Sequence, residues 1–414
     1  MRVIVADETG LLKSIELEKN EQRVIGNRHQ PQGRERAIER ICWYQDENQD
    51  ISARESVVVA RASSVVELYR ADHAASDELS RERQAEWSFP TSTPASASSR
   101  CVGVDMLQRY GSVVHCTAAG DVLVRNSLRE AGKPSTFSAG PDLERMRLDP
   151  FAQTHIATGG KERDLNVWSL ERQEAVFKAK NVTHDKLDMR VPVWVKDLQF
   201  LSTPGSSNGH RVVVGTGHHH IRLYDTNTKR RPVLQIEHGE YPINALCVSP
   251  DETRVFAADT TGCVDVFDLR TLRHMGRCIG PNGAVRDLAC HPTLPFVAAV
   301  GLDRFVHVFD VNTRQYHSSI YAKQRLNAVL FCNDGAKAFA ATDDGEDGRA
   351  HKRRKHTHGD GEDEEDDDEM EDEEEIAYEG LEISDQEEDD DDDDDDDEEE
   401  DGEEAFDDEE EDSD

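Results

Sequence analysis

Two short segments of the sequence contain residue types that could do chemistry, and each lacks part of a site. His218-His219-His220 could ligate a metal ion, but adjacent strand residues point to opposite faces and no nearby Cys or carboxylate completes a ligand set. Gly159-Gly160-Lys161-Glu162 has the composition of a phosphate-cradling loop, yet Glu162 stands where that loop needs Ser or Thr. We therefore expect no metal, no cofactor and no catalytic residues, and the protein is predicted not to be an enzyme.

A third segment is a compact basic cluster near the end of the chain. Lys352, Arg353, Arg354 and Lys355 are consecutive. An import receptor could pair its carboxylates with such accessible cations, which predicts a nuclear-import signal and a nuclear protein. The alternative is nonspecific attraction to nucleic acid, or collapse onto the acidic residues that follow.

Acidic residues are concentrated in the last part of the sequence. Of the 87 Asp and Glu residues, 41 lie in 360–414, a stretch without Lys or Arg, which leaves 46 acids against 48 bases in 1–359. Such a segment cannot bury enough apolar surface to offset the entropy of ordering, so we expect a disordered tail. The tail could shield basic partner proteins or import factors, or be only a solvated segment. Within it, Ser384 precedes several acids and is a candidate for phosphorylation by an acid-directed kinase.

The body that must position these segments contains an internal repeat. An apolar-x-apolar-aromatic-Asp pattern ends at Phe267-Asp268 and again 42 residues later at Phe309-Asp310. A further copy ends at Tyr224, 43 residues before Phe267, and another at Trp168, 56 residues earlier still. This period is that of a four-stranded propeller blade. Weaker copies bring the total to seven, with the anchors Ile15, Tyr69, Arg125, Trp168, Tyr224, Phe267 and Phe309. The sequence therefore predicts an all-β, seven-bladed WD-repeat β-propeller.

The two ends of the repeat region are each expected to supply half of one blade. A single strand pair, near 326–331 and 336–341, follows the last anchor, and the N-terminal hairpin at 3–6 and 11–17 supplies the other half. Joining the chain ends in this way closes the ring and leaves no exposed sheet edge.

Side chains of the strong repeats are expected to be structural. We assign the aromatic anchors to packing within their own blades. Four polar residues are assigned to turn hydrogen bonds that hold the blades together, namely Asp197, Asn244, Asp287 and Asn327.

Composition divides the chain into three parts. The propeller is predicted for 1–342, a linker with the basic cluster for 343–359 and the acidic tail for 360–414. Within the propeller, the stretch 71–100, rich in Ser, Ala and Pro, is expected to be a mobile surface insertion. The Arg-rich stretch 27–40 is expected to protrude, where it either touches a partner or is simply solvated.

Cysteine usage and hydropathy indicate an intracellular protein. The eight cysteines are scattered singly, most of them in apolar strand-like runs, which predicts buried, reduced thiols. No apolar run approaches the length of a bilayer span, and Asp7 and Glu8 follow the N-terminal apolar residues at once. We expect neither a membrane segment nor a signal peptide.

Loops between the predicted strands carry more cations than a near-neutral body needs. Propellers bind partners with such loops, because the strands fix their positions while the loop sequence is free to vary. We predict that one rim uses these cations to contact RNA phosphates or acidic partner loops, with ordinary surface charge as the alternative. The candidates are Lys161, Arg163, Lys180, Arg190, Lys196, Arg230, Arg231, Arg304 and Arg325.

Residues within about 155–341 also resemble a known family, the Nop-seven-associated WD-repeat factors of large ribosomal subunit assembly. The segments that carry the resemblance are GGKERDLNVW at 159–168, KN at 180–181, LD at 187–188, VPVW at 191–194, GTG at 215–217, RLYD at 222–225, RRPV at 230–233 and VGLDR at 300–304, together with VADETG at 5–10. The stretch 20–150 matches little beyond the repeat pattern, and the His-rich turn at 218–220 departs from the family.

The resemblance implies a scaffold of pre-60S particles in the nucleolus, a monomer within a larger complex. It would assemble with other factors on ribosomal RNA and be removed by an AAA-type remodelling ATPase. A nuclear histone-chaperone or chromatin-associated propeller is the alternative, because an acidic tail would also neutralise basic histone segments. A ubiquitin-ligase receptor is a more remote option, since no amphipathic docking helix is evident.

Overall fold

A computed structural model describes residues 1–26, 31–44, 56–71, 83–88, 100–108, 111–125, 134–184, 187–202 and 209–333. These residues form seven antiparallel sheets of four strands each. In chain order the strands are β1 (Arg2–Asp7), β2 (Leu12–Glu16), β3 (Glu21–Ile25), β4 (Ile38–Tyr44), β5 (Ser56–Arg61), β6 (Val65–Arg70), β7 (Arg83–Ser88), β8 (Cys101–Leu107), β9 (Ser112–Thr117), β10 (Asp121–Arg125), β11 (Ser135–Ser138), β12 (Leu143–Leu148), β13 (His155–Gly160), β14 (Arg163–Ser169), β15 (Glu174–Lys178), β16 (Val195–Leu201), β17 (Arg211–Thr216), β18 (His220–Asp225), β19 (Leu234–Glu237), β20 (Ile243–Val248), β21 (Arg254–Asp259), β22 (Val264–Asp268), β23 (His274–Cys278), β24 (Val285–Cys290), β25 (Phe296–Gly301), β26 (Phe305–Asp310), β27 (Tyr316–Tyr321) and β28 (Leu326–Phe331). The predicted seven-bladed β-propeller is confirmed. Blade 1 contains β28 and β1 to β3, and blades 2 to 7 each contain the next four strands in chain order, from β4–β7 to β24–β27.

Each blade follows directly from the alternating pattern in its sequence. In blade 7, the buried run Phe296–Gly301 turns through Arg304, whose positive φ of 69° closes the hairpin, into Phe305–Asp310. Turns of this kind repeat around the ring, so every anchor falls in the third strand of its blade, as the repeat spacing predicts.

Ring closure uses the two chain ends unequally. Blade 1 has the order β28-β1-β2-β3, so the C-terminal part contributes one strand and the N-terminal part three. The expected division into two halves is wrong, because the polar segment Glu21–Ile25 forms the outermost strand. An outermost strand is largely solvated and lacks the apolar alternation that marks inner strands. The strand expected near 336–341 lies outside the described residues.

The hydrophobic core consists of seven clusters, each shared by two neighbouring blades. Tyr224, Phe267 and Phe309 lie in these clusters and pack against the preceding blade. Each cluster also contains residues of the anchor's own blade, so the expected packing within a blade is present but is only part of their role. The third strand turns one face to the neighbouring sheet, so a large aromatic side chain there joins two blades.

Two stretches expected to protrude instead contain strands. Arg83–Ser88, inside the predicted insertion 71–100, pairs with β6 as the outermost strand of blade 2. Arg34–Arg36 form a short 3₁₀ helix, and Ile38–Tyr44 form the innermost strand of the same blade. The polar composition of Arg83–Ser88 concealed the first strand, whereas the second is largely apolar and only its first three residues fall inside the stretch 27–40. The predicted boundary at 342, the linker and the tail lie outside the described residues and stay predictions. No helix of the described residues is long and apolar enough to cross a membrane.

Candidate functional site: the two mouths of the central channel

A β-bulge recurs at the start of every innermost strand. In each blade the pairing with the second strand shifts register around the second residue of the innermost strand. A bulged residue is freed from the sheet ladder, and the bulge re-aims its side chain. The seven bulged residues, here called the bulge ring, are Glu39, Val102, Glu144, Lys196, Asn244, Arg286 and Asn327.

The bulge ring lines a cavity of about 410 Å³ at the end of the channel where the innermost strands begin. We call this cavity the charged mouth, because it combines five cations with three acids. Its charged and amide residues are Glu8, Arg34, Glu39, Arg40, Arg100, Glu144, Lys196, Asn244, Arg286 and Asn327. All six polar members of the bulge ring are included, so the β-bulges place most of the polar side chains of this mouth.

Several charges of the mouth are paired with one another. Arg100 Nη2 lies 2.9 Å from Glu144 Oε2, and Glu8 lies between Arg286 and Arg325 at 3.6 and 3.7 Å. Lys196 Nζ sits 4.1 Å from the centre of the Trp194 ring, and burial lowers the pKa of this lysine. Every pair joins residues of different strands or loops, so these contacts fix the shape of the mouth.

Glu39 is a partly buried acid of the same mouth. Burial raises the pKa of its carboxyl group, against the attraction of Arg100, Arg40 and Arg286. The charge of the mouth therefore depends on pH through this group.

Deeper in the channel, charged residues of three innermost strands form a second layer. Arg145 lies 2.8 Å from Asp197 and 3.3 Å from Asp287, and Arg147 lies 3.5 Å from Asp197. Burial acts to raise the pKa of Asp197, but Arg145, Arg147 and two backbone N–H groups hold it below its ordinary value. These charges join blades 4, 5 and 7 across the channel.

The opposite end of the channel has a different chemistry. A cavity of about 510 Å³ there includes Pro150, Pro250 and Pro292, together with Phe151 and Leu330. We call it the proline mouth, after the three proline residues that follow innermost strands. Phe151 is 54% exposed. More of its surface is apolar than at the charged mouth, although its lining also includes the charged residues Arg40, Asp105, Arg145, Arg147, Glu252 and Asp287.

The nine cations predicted for one rim do not form a single site. Lys196 lines the charged mouth, and Arg325 reaches Glu8 beside it. Lys161 and Arg304 lie in turns between second and third strands, which by antiparallel pairing are at the same end of the ring. Arg190 pairs with Glu162 of one such turn at 3.2 Å. Arg163 begins β14 at this end.

The remaining candidates act between blades at the outer edge. Arg230 Nε donates to Lys178 O at 2.6 Å, and Arg231 Nε donates to Asn181 O at 3.1 Å. Lys180 joins them through its backbone, since its N–H donates to Arg230 O. Arg40, Arg100 and Arg286 belong to the charged mouth but were not among the predicted site residues. Their position at the start of an innermost strand was the signal that could have identified them.

The four polar residues assigned to holding blades together do so, but from strands and not from turns. Asp197 accepts from Leu246 N at 2.9 Å, and Asp287 accepts from Val329 N at 3.0 Å. Asn244 and Asn327 each donate to a carbonyl of the next blade. Asp105, which the sequence did not single out, accepts from Leu148 N in the same way.

Histidine residues take part in local packing. His218 packs edge-on against the Trp194 ring, and His219 contacts Glu237 at 3.1 Å. Elsewhere, His238 and His274 both contact Asp265, at 3.1 and 3.0 Å. Arg277 already occupies both oxygens of that carboxylate, so a cation would have to displace a guanidinium group.

Fold, repeat and closure together define a WD-repeat propeller. The family model described as "WD domain, G-beta repeat" matches residues 272–310. Human "WD repeat-containing protein 74" is 33% identical over 334 residues, covering 79% of this chain and 80% of the human protein. "Ribosome biogenesis protein nsa1" of Schizosaccharomyces pombe is 25% identical over 363 residues, or 81% and 89% of the two chains. "Ribosome biogenesis protein NSA1" of Meyerozyma guilliermondii is 28% identical over 248 residues, or 50% and 59%. This chain belongs to the WD repeat-containing protein 74 family.

Proposed function

We propose that the chain is a non-catalytic scaffold in the biogenesis of the large ribosomal subunit. It works in the nucleus and nucleolus, where it docks on pre-ribosomal RNA and neighbouring assembly factors of pre-60S particles. The observation that carries this proposal is the similarity, over 81% of the chain, to a protein named for ribosome biogenesis. A ring of seven blades suits a scaffold, because rigid sheets hold the loops at both ends in fixed positions.

The end of the ring with the charged mouth is the docking face of this proposal. Five cations line the mouth, and Lys161 and Arg304 extend the cationic surface outward on the same end. Such a face attracts RNA phosphates and acidic loops at long range. An import receptor at 352–355 and release by an AAA-type ATPase complete the proposal.

Gradient sedimentation of the tagged chain from nuclear extract tests the proposed function. We expect the protein to migrate with large-subunit precursors, identified by mass spectrometry of co-migrating RNA and protein, and to lose that migration after RNase treatment. Migration with histones, or as free protein at the top of the gradient, would contradict the proposal.

A charge-neutralised variant tests the docking face. We expect Arg34→Gln, Lys161→Gln and Lys196→Gln together to weaken binding to a precursor-RNA transcript by at least about tenfold, with a salt dependence shallower by roughly 2 to 3 in log–log slope. The matched control is Arg172→Gln, Lys229→Gln and Arg270→Gln, three exposed residues in turns between third and fourth strands, at the opposite end. Equal losses in both variants would refute the assignment of the face.

A further inference from the structure

Arg40 lies at the base of the charged mouth, between the two cavities of the channel. It belongs to the innermost strand of blade 2 and directly follows the bulged Glu39. The lining of the charged mouth and that of the proline mouth both include Arg40. Arg40 is therefore the cation of the charged mouth that also lines the second cavity.

Most carboxylates near Arg40 form ion pairs with other cations. In the second layer, Arg145 contacts Asp197 and Asp287, and Arg147 also contacts Asp197. Near the opening, Arg100 pairs with Glu144, while Arg286 and Arg325 flank Glu8. Asp287 and Glu39 attract Arg40 electrostatically, but neither forms an ion pair with it among the described residues.

Within the described residues, the side chain of Arg40 makes a single hydrogen bond. Its Nη1 donates to the backbone oxygen of Glu39 at 2.8 Å, and no ion pair of Arg40 occurs among these residues. Its Nε atom is buried and has no hydrogen-bond partner. Burial, with the repulsion of Arg145 next in size, lowers the pKa of Arg40 to about 10. The fold therefore holds a partly buried guanidinium group that Asp287 and Glu39 attract but that has no ion pair among the described residues and keeps one unpartnered N–H.

We propose that the charged mouth binds an acidic peptide segment of a partner protein, and that one carboxylate of that segment pairs with Arg40. The proposal rests on the docking face described above and names the chemistry of its partner. A planar guanidinium group matches a carboxylate in a bidentate pair. The cavity of about 410 Å³ has the size of a small-ligand or side-chain pocket. Glu8, Glu39 and Glu144 divide the cationic lining into separate positions, which suits single carboxylates spaced along a peptide better than a continuous phosphate backbone.

Thermal unfolding of the full chain separates a binding role of Arg40 from a structural one. Arg40→Met keeps most of the side-chain volume and removes the charge. Because burial and the repulsion of Arg145 outweigh the attraction of Asp287 and Glu39, we expect the melting temperature to stay unchanged or to rise, by up to about 2 °C. The matched control Arg270→Met, in an exposed turn, should leave it unchanged. A fall in the Arg40→Met melting temperature would overturn the inference, because Arg40 would then hold the ring together.

Binding of a defined probe tests the inference directly. The probe is a fluorescein-labelled nine-residue peptide of alternating Glu and Ala, measured by fluorescence anisotropy at low salt. Since the acidic stretch 360–414 is itself a polyanion that would compete, a protease site is placed before Asp360 and cut after folding. We expect the cleaved protein to bind the probe, Arg40→Met to weaken binding by about tenfold or more, and Arg270→Met to have no effect.

Three results would overturn the inference. These are failure of the cleaved protein to bind the probe, equal binding by Arg40→Met, and a loss of affinity in Arg40→Met for an RNA oligonucleotide as large as that for the peptide. If the chain still migrates with large-subunit precursors while the peptide test fails, the inference is wrong and the proposed function stands.

Discussion

The two mouths of the channel are built from the same seven strands but differ in chemistry. Where the innermost strands begin, six of the seven residues of the bulge ring line the channel and are charged or carry an amide, while the seventh, Val102, is buried in the core. Where they end, Pro150, Pro250 and Pro292 follow the strands. The difference teaches that charge collects where the sheet ladder is interrupted, because an unpaired residue there can face the channel.

Hydrogen bonding explains why the proline mouth is less polar. Ser249 exchanges hydrogen bonds with Arg254 across its hairpin, and the Nδ1 atom of His291 accepts from Leu294 N at 2.9 Å. The polar groups of these two turns therefore form hydrogen bonds inside their own turns. At the charged mouth, in contrast, the polar groups come from different blades and meet across open space.

The largest loss of stability is expected on substitution of Asp197, which lies between the two mouths. Asp197→Asn weakens two ion pairs and leaves the buried Arg145 and the partly buried Arg147 short of a counter-charge, so we expect a loss of about 3 kcal/mol or more in the free energy of unfolding. The matched control Asp188→Asn, whose side chain is 94% exposed, should lose almost nothing. Urea denaturation at pH 7 measures both. A loss below about 1 kcal/mol would show that the ion pairs of Asp197 contribute little to the stability of the ring.

The pH dependence of the same group has a definite sign. The pKa of Asp197 is depressed in the folded protein, so its stabilising contribution is present above the unfolded value of about 3.9. That contribution is lost as the pH falls through the depressed value. The free energy of unfolding of Asp197→Asn should therefore depend less on pH in the acid range than that of the unsubstituted protein.

An intermediate effect is expected at Asn327, a charged-mouth residue with a structural task. Its Nδ2 donates to Ile38 O of blade 2 at 2.8 Å, and its Oδ1 accepts from Arg286. Asn327→Ala should lower the free energy of unfolding by about 1 to 2 kcal/mol without weakening binding of an acidic peptide by more than about twofold. An unchanged unfolding curve together with lost binding would assign this residue to recognition instead.

The smallest change in acidic-peptide binding is expected from protonation of Glu39. Because burial raises its pKa, this acid gains a proton at a higher pH than an ordinary glutamate as the pH falls, and the charged mouth then becomes more cationic. Acidic-peptide binding should tighten by about two- to threefold as Glu39 is protonated, and the affinity of Glu39→Gln should not change over the same pH range. Tightening that persists in Glu39→Gln would place the titrating group elsewhere.

The fold was predictable because repetition amplifies a weak signal. A single copy such as Phe305–Asp310 could be any half-buried strand, but seven copies near one period define a propeller. Outermost strands were not predictable in the same way. Glu21–Ile25 and Arg83–Ser88 are outermost strands whose sequences contain several charged or polar residues, so they resemble loops.

The site was predictable only as a tendency toward cationic loops. Lys196 was identified, whereas Arg40 was placed in a protruding segment and Arg286 was not considered. Local patterns do not reveal a bulge, since the shift depends on pairing with a strand further along the chain. The proximity of Arg100, Arg286 and Arg40 likewise requires the ring to close, which brings residues far apart in sequence to one opening.

The placement of β28 in blade 1 has a consequence for the order in which the chain is made. The inner edge of β1 is paired only by β28, so it stays open while the ribosome synthesises the intervening three hundred or so residues. An unpaired strand edge is a template for wrong pairing between nascent chains. Synthesis of Leu326–Phe331 is therefore the step that ends this exposure, and the protein depends on protection of its first strand until its last blade has emerged.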